Sequence, residues 1–345
     1  MKRACAFSIS GSGARSKVCN MIAYILRRLL YAVPILVGIN LITFLLFFVV
    51  NSPDDMARLH LGSKRVTPEA IEKWKAGHGY DLPLFYNDAA SGVGHITETL
   101  FYRKSVPLFL FQFGRSDDGR DIRHDLWTRM GPSLAIAVPG LMVGLCVDIT
   151  LAMGVAFFRA TPLDRMATLL AVAMMSVSPI FYIIGGQFLM SKLLKLTPVS
   201  GYGTGLDAIK FLILPVLIGV IAGLGSSVRW YRTLFLEEMN KDYVRTARAK
   251  GLSETRVLFV HVLRNTMIPI LTGVVVVIPT LFMGSLLTES FFSIPGLGSY
   301  TIDAINSQDF GIVRAMVFLG SALYIVGLIL TDISYALVDP RVRIQ

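Results

Sequence analysis

Few residues in this chain are both reactive in type and placed for chemistry. Asp148 lies well inside a long apolar run, LAIAVPGLMVGLCVDITLAMGVAFF (Leu134–Phe158). A carboxylate at the centre of a membrane helix costs on the order of 3 kcal/mol by insertion scales. Asp148 is therefore either paired with a neighbouring helix, held protonated, or a lining residue of a transport path. Gly225-Ser226-Ser227 has the form of an intramembrane serine nucleophile. No histidine lies in an apolar run to act as its base, so hydrolysis is unsupported. The five histidines, His60, His78, His95, His124 and His261, include no pair at metal-ligand spacing and no HExxH. Gly11–Lys17 reads GSGARSK, with Ser16 where a phosphate-binding loop needs glycine before its lysine. Cys5, Cys19 and Cys146 form neither a CxxC site nor a disulfide framework.

The elements that carry these residues are membrane helices. The chain has 345 residues, 54% of them hydrophobic, and a mean hydropathy of +0.61. A soluble protein of this length needs a more polar surface, so an all-α membrane protein is expected. The formal charge of +10 fits basic cytoplasmic loops and needs no nucleic acid. Six apolar runs approach or exceed the ~20 residues that cross a bilayer: 29–50, 134–158, 167–190, 211–228, 269–289 and 312–338. Ser178-Pro179 and Gly185-Gly186 interrupt the third. Such breaks are tolerated where neighbouring helices or a cavity satisfy the freed backbone. Ser178 and Pro179 thus join Asp148 as candidates for the path. Glu289 and Asp332 lie nearer span ends, where structural roles are expected.

The connecting segments set an orientation. The tail to Arg28 has six basic residues and no acidic ones, which places 1–28 in the cytoplasm. The polar segment 51–131 has eleven basic and eleven acidic residues and falls outside. Within it Thr67-Pro68-Glu69 opens a helix that ends near Gly77, with Ile71 and Trp74 on its packing face. The segment reads as a spacer or as a small lobe that touches a substrate-delivery protein. The stretch between spans five and six has no Lys or Arg, whereas 229–268 is strongly basic and cytoplasmic. Residues 339–345 form an inner tail.

Glu237–Pro269 is the most charged part of the second half, with eight Lys and Arg once Arg229 and Arg232 are included. Leu236, Met239, Tyr243 and Ala247 recur at steps of three and four, giving a helix with one apolar and one basic face. Gly251 suits a left-handed helix cap, and Ser253 can cap a second helix through Arg256, Leu258 and Val262. This elbow is either a basic loop that holds orientation or a docking surface for a soluble partner.

The stretch YVRTARAKGL (Tyr243–Leu252), with HVLRN at His261–Asn265, resembles the coupling loop of ABC importer permeases. It is closest to the dipeptide/oligopeptide branch. The general form of the signature, Glu-Ala-Ala-x-x-x-Gly, is kept only at Ala247 and Gly251, with Arg245 and Thr246 in its first two places. MIAYILRRLLYAVPILVG from Met21, LTPVSG at Leu196–Gly201, FFSIPGLG at Phe291–Gly298 and Asp339-Pro340-Arg341 resemble the same branch. The first twenty residues read either as an extension ahead of that start or as a misassigned start. The resemblance implies the type I importer permease fold in a bacterial inner membrane, with both termini cytoplasmic. It implies an elbow seated in a groove of a cytoplasmic ATPase, with Glu238, Tyr243, Arg245, Thr246, Ala247, Lys250, Gly251 and Leu252 as coupling residues. Ala247, small at the centre of the apolar face, is expected to approach that partner closely. A second homologous permease, two ATPases and an external substrate-binding protein complete the implied assembly. ATP and Mg belong to the ATPases; the chain itself is expected to hold no cofactor and to be no enzyme. The implied cargo is peptides, and similar permeases carry nickel chelates and peptide antibiotics. The alternative is an ATP-independent channel or secondary transporter, which calls for a mid-membrane coupling-ion site or an internal repeat.

Overall fold

The computed structural model describes residues 13–62, 67–203 and 205–338. Asp339-Pro340-Arg341 lies outside the described residues. The helices, in chain order, are α1 (Gly13–Leu45), α2 (Pro53–Leu61), α3 (Pro68–His78), α4 (Gly94–Thr97), α5 (Leu100–Ser105), α6 (Ile122–Phe157), α7 (Pro162–Met175) and α8 (Pro179–Gly186). They continue as α9 (Ala208–Met239), α10 (Asp242–Ala249), α11 (Glu254–Arg256), α12 (Leu263–Thr280), α13 (Leu286–Phe291), α14 (Leu297–Ser307) and α15 (Phe310–Val338). Five helical stretches are long and apolar enough to cross a membrane, or six if the bent pair Pro162–Met175 and Pro179–Leu193 is one span. The chain divides into two compact units: residues up to Thr128 together with those from Thr301, and Arg129–Tyr300.

In the first unit, α1 packs along α15, and Arg28 pairs with Asp332 at 3.0 Å. That pairing gives Asp332 the structural role expected of it. The polar segment folds as a lobe on an aromatic core of Phe44, Phe48, Met56, Tyr80 and Leu100. Phe44 meets Phe101 edge-on at 5.1 Å and Phe48 meets Tyr80 at 5.4 Å, geometries the ring quadrupoles favour. Buried Asn40 donates to the Ser105 carbonyl at 2.9 Å and ties α1 to α5. Thr67 caps α3 by accepting from Ala70, and the helix ends at His78 against left-handed Gly79. Ile71 is buried there, and Trp74 packs on the same core.

Several expected boundaries move. The polar segment does not end at Gly131: α6 begins at Ile122, where the Asp121 carboxylate accepts from Arg123 at 2.9 Å as a helix cap. Polarity marks where a helix meets water, and a membrane helix can start well outside the lipid. Likewise α9 runs on to Met239, so residues 229–239 at the start of the basic stretch are helical. The apolar face from Leu236 to Ala247 is accordingly not one helix, because the chain turns at Asn240-Lys241, where Lys241 is extended. The third span breaks at 176–178 with a bend of 91°. Pro179 has no N–H to donate there, and the Tyr182 hydroxyl donates across the break to the Met174 carbonyl at 2.9 Å. Gly185-Gly186 is no break: the helix runs on into a π-helical turn at Gln187–Leu193. Gly186 lies where a Cβ would strike the Ile218 side chain, so its small size serves packing against α9. Span five is not a single helix over 269–289. A helix runs from Glu254 through a π-helical segment, Val257–Val262, to Thr280, and Gly284 (φ +69°) then separates it from α13.

Candidate functional site

The elbow is two helices joined by a tight glycine turn. The Gly251 N–H donates to the Arg248 carbonyl at 2.9 Å, and the Leu252 N–H donates to the Ala247 carbonyl at 3.4 Å. This double bond pattern with φ +78° at Gly251 is a Schellman cap, the geometry that favours glycine. Ser253 occupies the next N-cap position with extended backbone, but its side chain makes no capping bond, contrary to the expectation from sequence.

Burial divides the expected coupling residues. Arg245, Thr246, Lys250 and Gly251 are exposed. Ala247 is not on the free face: it is 5% exposed and packs with Met239, Val244, Val257 and Leu258 in the chain's own core. Its small size is explained by that core rather than by a partner. Glu238, Tyr243 and Leu252 are half-buried at the base of the elbow. The Tyr243 hydroxyl donates to the Glu238 carboxylate at 2.6 Å, and Lys241 pairs with the same carboxylate at 2.7 Å. Burial, then the Glu238 hydrogen bond, pushes the Tyr243 phenol up to about 12, so it stays a donor at neutral pH.

Three interactions escaped the sequence reading. Arg248 bonds both oxygens of Glu254 at 2.8 and 3.2 Å, a bidentate strut across the glycine turn. Arg232 bonds both oxygens of buried Asp164 at 2.8 Å, locking the start of α7 to α9. Glu289, 1% exposed, accepts from the N–H groups of Ser285 (3.1 Å), Gly298 (2.7 Å) and Ser299 (3.1 Å). The Ser133 hydroxyl accepts from Leu297 at 2.8 Å alongside it. These groups satisfy the open N–H groups at the start of α14. The glycine turn beside them is equally close, since a Cβ on Gly298 would lie 2.6 Å from the Ser285 carbonyl. FFSIPGLG stood out in the sequence only by its family resemblance; the role of this segment in gripping Glu289 has no sequence signal.

Asp148 is 8% exposed and lines a cavity of about 360 Å³ between α6 and α9. Gly140, Gly144, Gly219 and Gly223 form part of its wall. Ser227 lines the same cavity, and Oδ1 of Asp148 is buried without a hydrogen-bond partner among the described residues. Ser178 and Pro179 do not join it: they are exposed at the 91° bend, and neither lines the cavity.

Residues 8–344 match the family described as binding-protein-dependent transport system inner membrane component. The chain is 31% identical over 355 residues to the dipeptide transport system permease protein DppB of Escherichia coli strain K12, spanning 94% of this chain and 99% of that protein. It is 31% identical over 353 residues to the di/tripeptide transport system permease protein DppB of Pseudomonas aeruginosa, covering 94% and 100%. The oligopeptide transport system permease protein AppB of Bacillus subtilis is 28% identical over 333 residues, covering 94% and 100%.

Proposed function

This chain belongs to the family of binding-protein-dependent transport system inner membrane components, and from that membership we propose that it is one permease of an ATP-driven peptide importer. It forms the translocation path with a second, homologous permease. Two cytoplasmic ATPases bind ATP and Mg and close on nucleotide, and an external binding protein delivers cargo. The observation that carries the reading is the elbow. Arg245, Thr246, Lys250 and Gly251 are exposed on one face while Val244 and Ala247 anchor the other in the core. Closure of the ATPases pulls the elbows of the two permeases together and shifts the path from inward-open to outward-open, a population shift driven by differential affinity.

Asp148 faces the path in this reading and favours cationic groups on cargo; its buried, unpartnered oxygen supports that role. The test is uptake of labelled dipeptides by proteoliposomes holding the complete assembly. Accumulation is expected to require ATP. Asp148→Asn should cut uptake of a lysine-bearing dipeptide about tenfold, roughly 1.4 kcal/mol, and a neutral one far less. Uptake without ATP would favour the channel or secondary-transporter reading, and equal losses on both cargoes would give Asp148 a structural role.

The basic elbow is cytoplasmic and the lobe over 51–131 external. With Cys5, Cys19 and Cys146 replaced by serine, single cysteines at Ser91 and Ser253, both exposed, check this in intact cells. An impermeant thiol reagent is expected to label position 91 and spare 253. The reverse pattern overturns the orientation.

A further inference from the structure

The lobe of the first unit encloses a cavity of about 620 Å³ whose wall carries Arg103, Lys104, Arg115 and Arg314 against a single acidic residue, Asp117. Arg314, at the start of α15, is 6% exposed. Its Nη2 donates to the Lys104 carbonyl at 2.6 Å, and the guanidinium lies 4.9 Å from the centre of the Phe48 ring. Lys104 Nζ donates to the His78 carbonyl at 2.7 Å and sits 4.6 Å from the centre of the Tyr80 ring. Carbonyls and aromatic faces thus hold both cations, and among the described residues no carboxylate pairs with either. Asp117 is committed elsewhere, with its oxygens 3.4 Å from His78 and 4.0 Å from His60. Asp309 accepts from the N–H groups of Asp117 and Ile312.

A buried cation without an anion is costly, because desolvation is not offset by a partner charge. Burial, then the neighbouring Arg314 charge, pushes the Lys104 ammonium down to about 8 against an upward pull from Asp117. An anion entering the cavity would restore the balance. A guanidinium beside an ammonium suits a planar carboxylate, which arginine can bind with two parallel hydrogen bonds. The volume is that of a small-molecule site, large enough for a few residues of peptide.

We propose that this cavity is a binding site for the C-terminal carboxylate of short peptides, held by Arg314 and Lys104, distinct from the cavity at Asp148. The peptide identity rests on the importer reading above; the anion site rests on the cations alone. Trp74 is a built-in reporter, since its ring stacks on His78 of the cavity wall with centroids 4.2 Å apart. With Trp127→Phe and Trp230→Phe in the full chain in lipid nanodiscs, titration with trialanine should change Trp74 emission saturably. Trialanine amide, which lacks the carboxylate, should bind about tenfold more weakly, the loss expected for one charge-assisted bond. Lys104→Met should weaken trialanine by a similar factor and leave the amide unaffected. The acid-against-amide comparison needs no substitution of the cations, so it does not depend on how Arg314 variants fold. Equal binding of acid and amide, no saturable change, or inorganic phosphate binding as tightly as trialanine would each overturn the proposal. A null titration alongside normal ATP-driven uptake removes the cavity site and leaves the importer reading standing. Saturable acid-selective binding without ATP-driven uptake does the opposite.

Discussion

Gly251→Asp is expected to leave the spans inserted and folded while reducing coupled ATP hydrolysis and peptide uptake at least tenfold. Gly251 is exposed at the apex of the elbow with φ +78°, and a Cβ there would meet no atom of this chain within 4 Å. The substitution therefore costs only the left-handed backbone, roughly 1–2 kcal/mol, and puts a charged side chain where the proposed ATPase groove must close. Asparagine tolerates this conformation better than most residues. Gly251→Asn consequently separates charge from bulk: it matches aspartate in size and in tolerance of this backbone, so it should preserve the turn and still weaken docking. Ala247→Glu should fail differently. Ala247 is 5% exposed in the core under the elbow, so a carboxylate there costs several kcal/mol and unseats α10 itself. The measurement is capture of the ATPases by each variant together with substrate-stimulated hydrolysis in the reconstituted complex. Normal capture and normal hydrolysis with Gly251→Asp would remove the elbow from the coupling path.

Glu289→Leu should destabilise the folded chain by about 3–5 kcal/mol, the range for stripping one partner from a buried charged network. Three N–H groups point at the carboxylate from Ser285, Gly298 and Ser299, and leucine leaves all three without an acceptor. Glu289→Gln keeps the shape but turns an NH2 group toward donors, so a smaller loss of roughly 2 kcal/mol is expected. Thermal unfolding of the purified chain, followed by loss of the monodisperse peak in size-exclusion chromatography, reads both. A midpoint unchanged in Glu289→Leu would show that the turn at 296–299 holds without its acid.

The parts legible from sequence are those governed by local rules. Apolar runs located the spans, Thr67-Pro68 located a capped helix, and Gly251 announced its left-handed turn because few other residues suit one. Helix ends inside polar stretches were not legible. Arg229–Met239 and Ile122–Arg129 continue helices whose only visible signal, hydrophobicity, stops earlier. An apolar face shows that Ala247 is covered but not by what, and the structure supplies the chain's own core. Pairs such as Asp164 with Arg232, 68 residues apart, follow from tertiary packing that no local pattern encodes. The same holds for Arg314, which reads in sequence as an ordinary basic residue at a span end and lies buried beside Lys104.

The strut between Arg248 and Glu254 also bears on mechanics. It triangulates the glycine turn, so the short helix before it and the long one after it cannot fold against each other like a hinge without breaking both charge-assisted bonds. The helical stretch from Glu254 to Thr280 is about 40 Å long at roughly 1.5 Å per residue. A tilt of about 5° at its elbow end displaces the other end by roughly 3.5 Å over that length. Pro269 and Pro279 both lie inside this stretch, and each leaves a backbone rung unmade. The piece is therefore a lever with a braced handle and joints at its two prolines. Its far end leads through Gly284 into α13, which carries the buried Glu289, so the carboxylate held by three N–H groups stands at the end where the lever's travel is greatest.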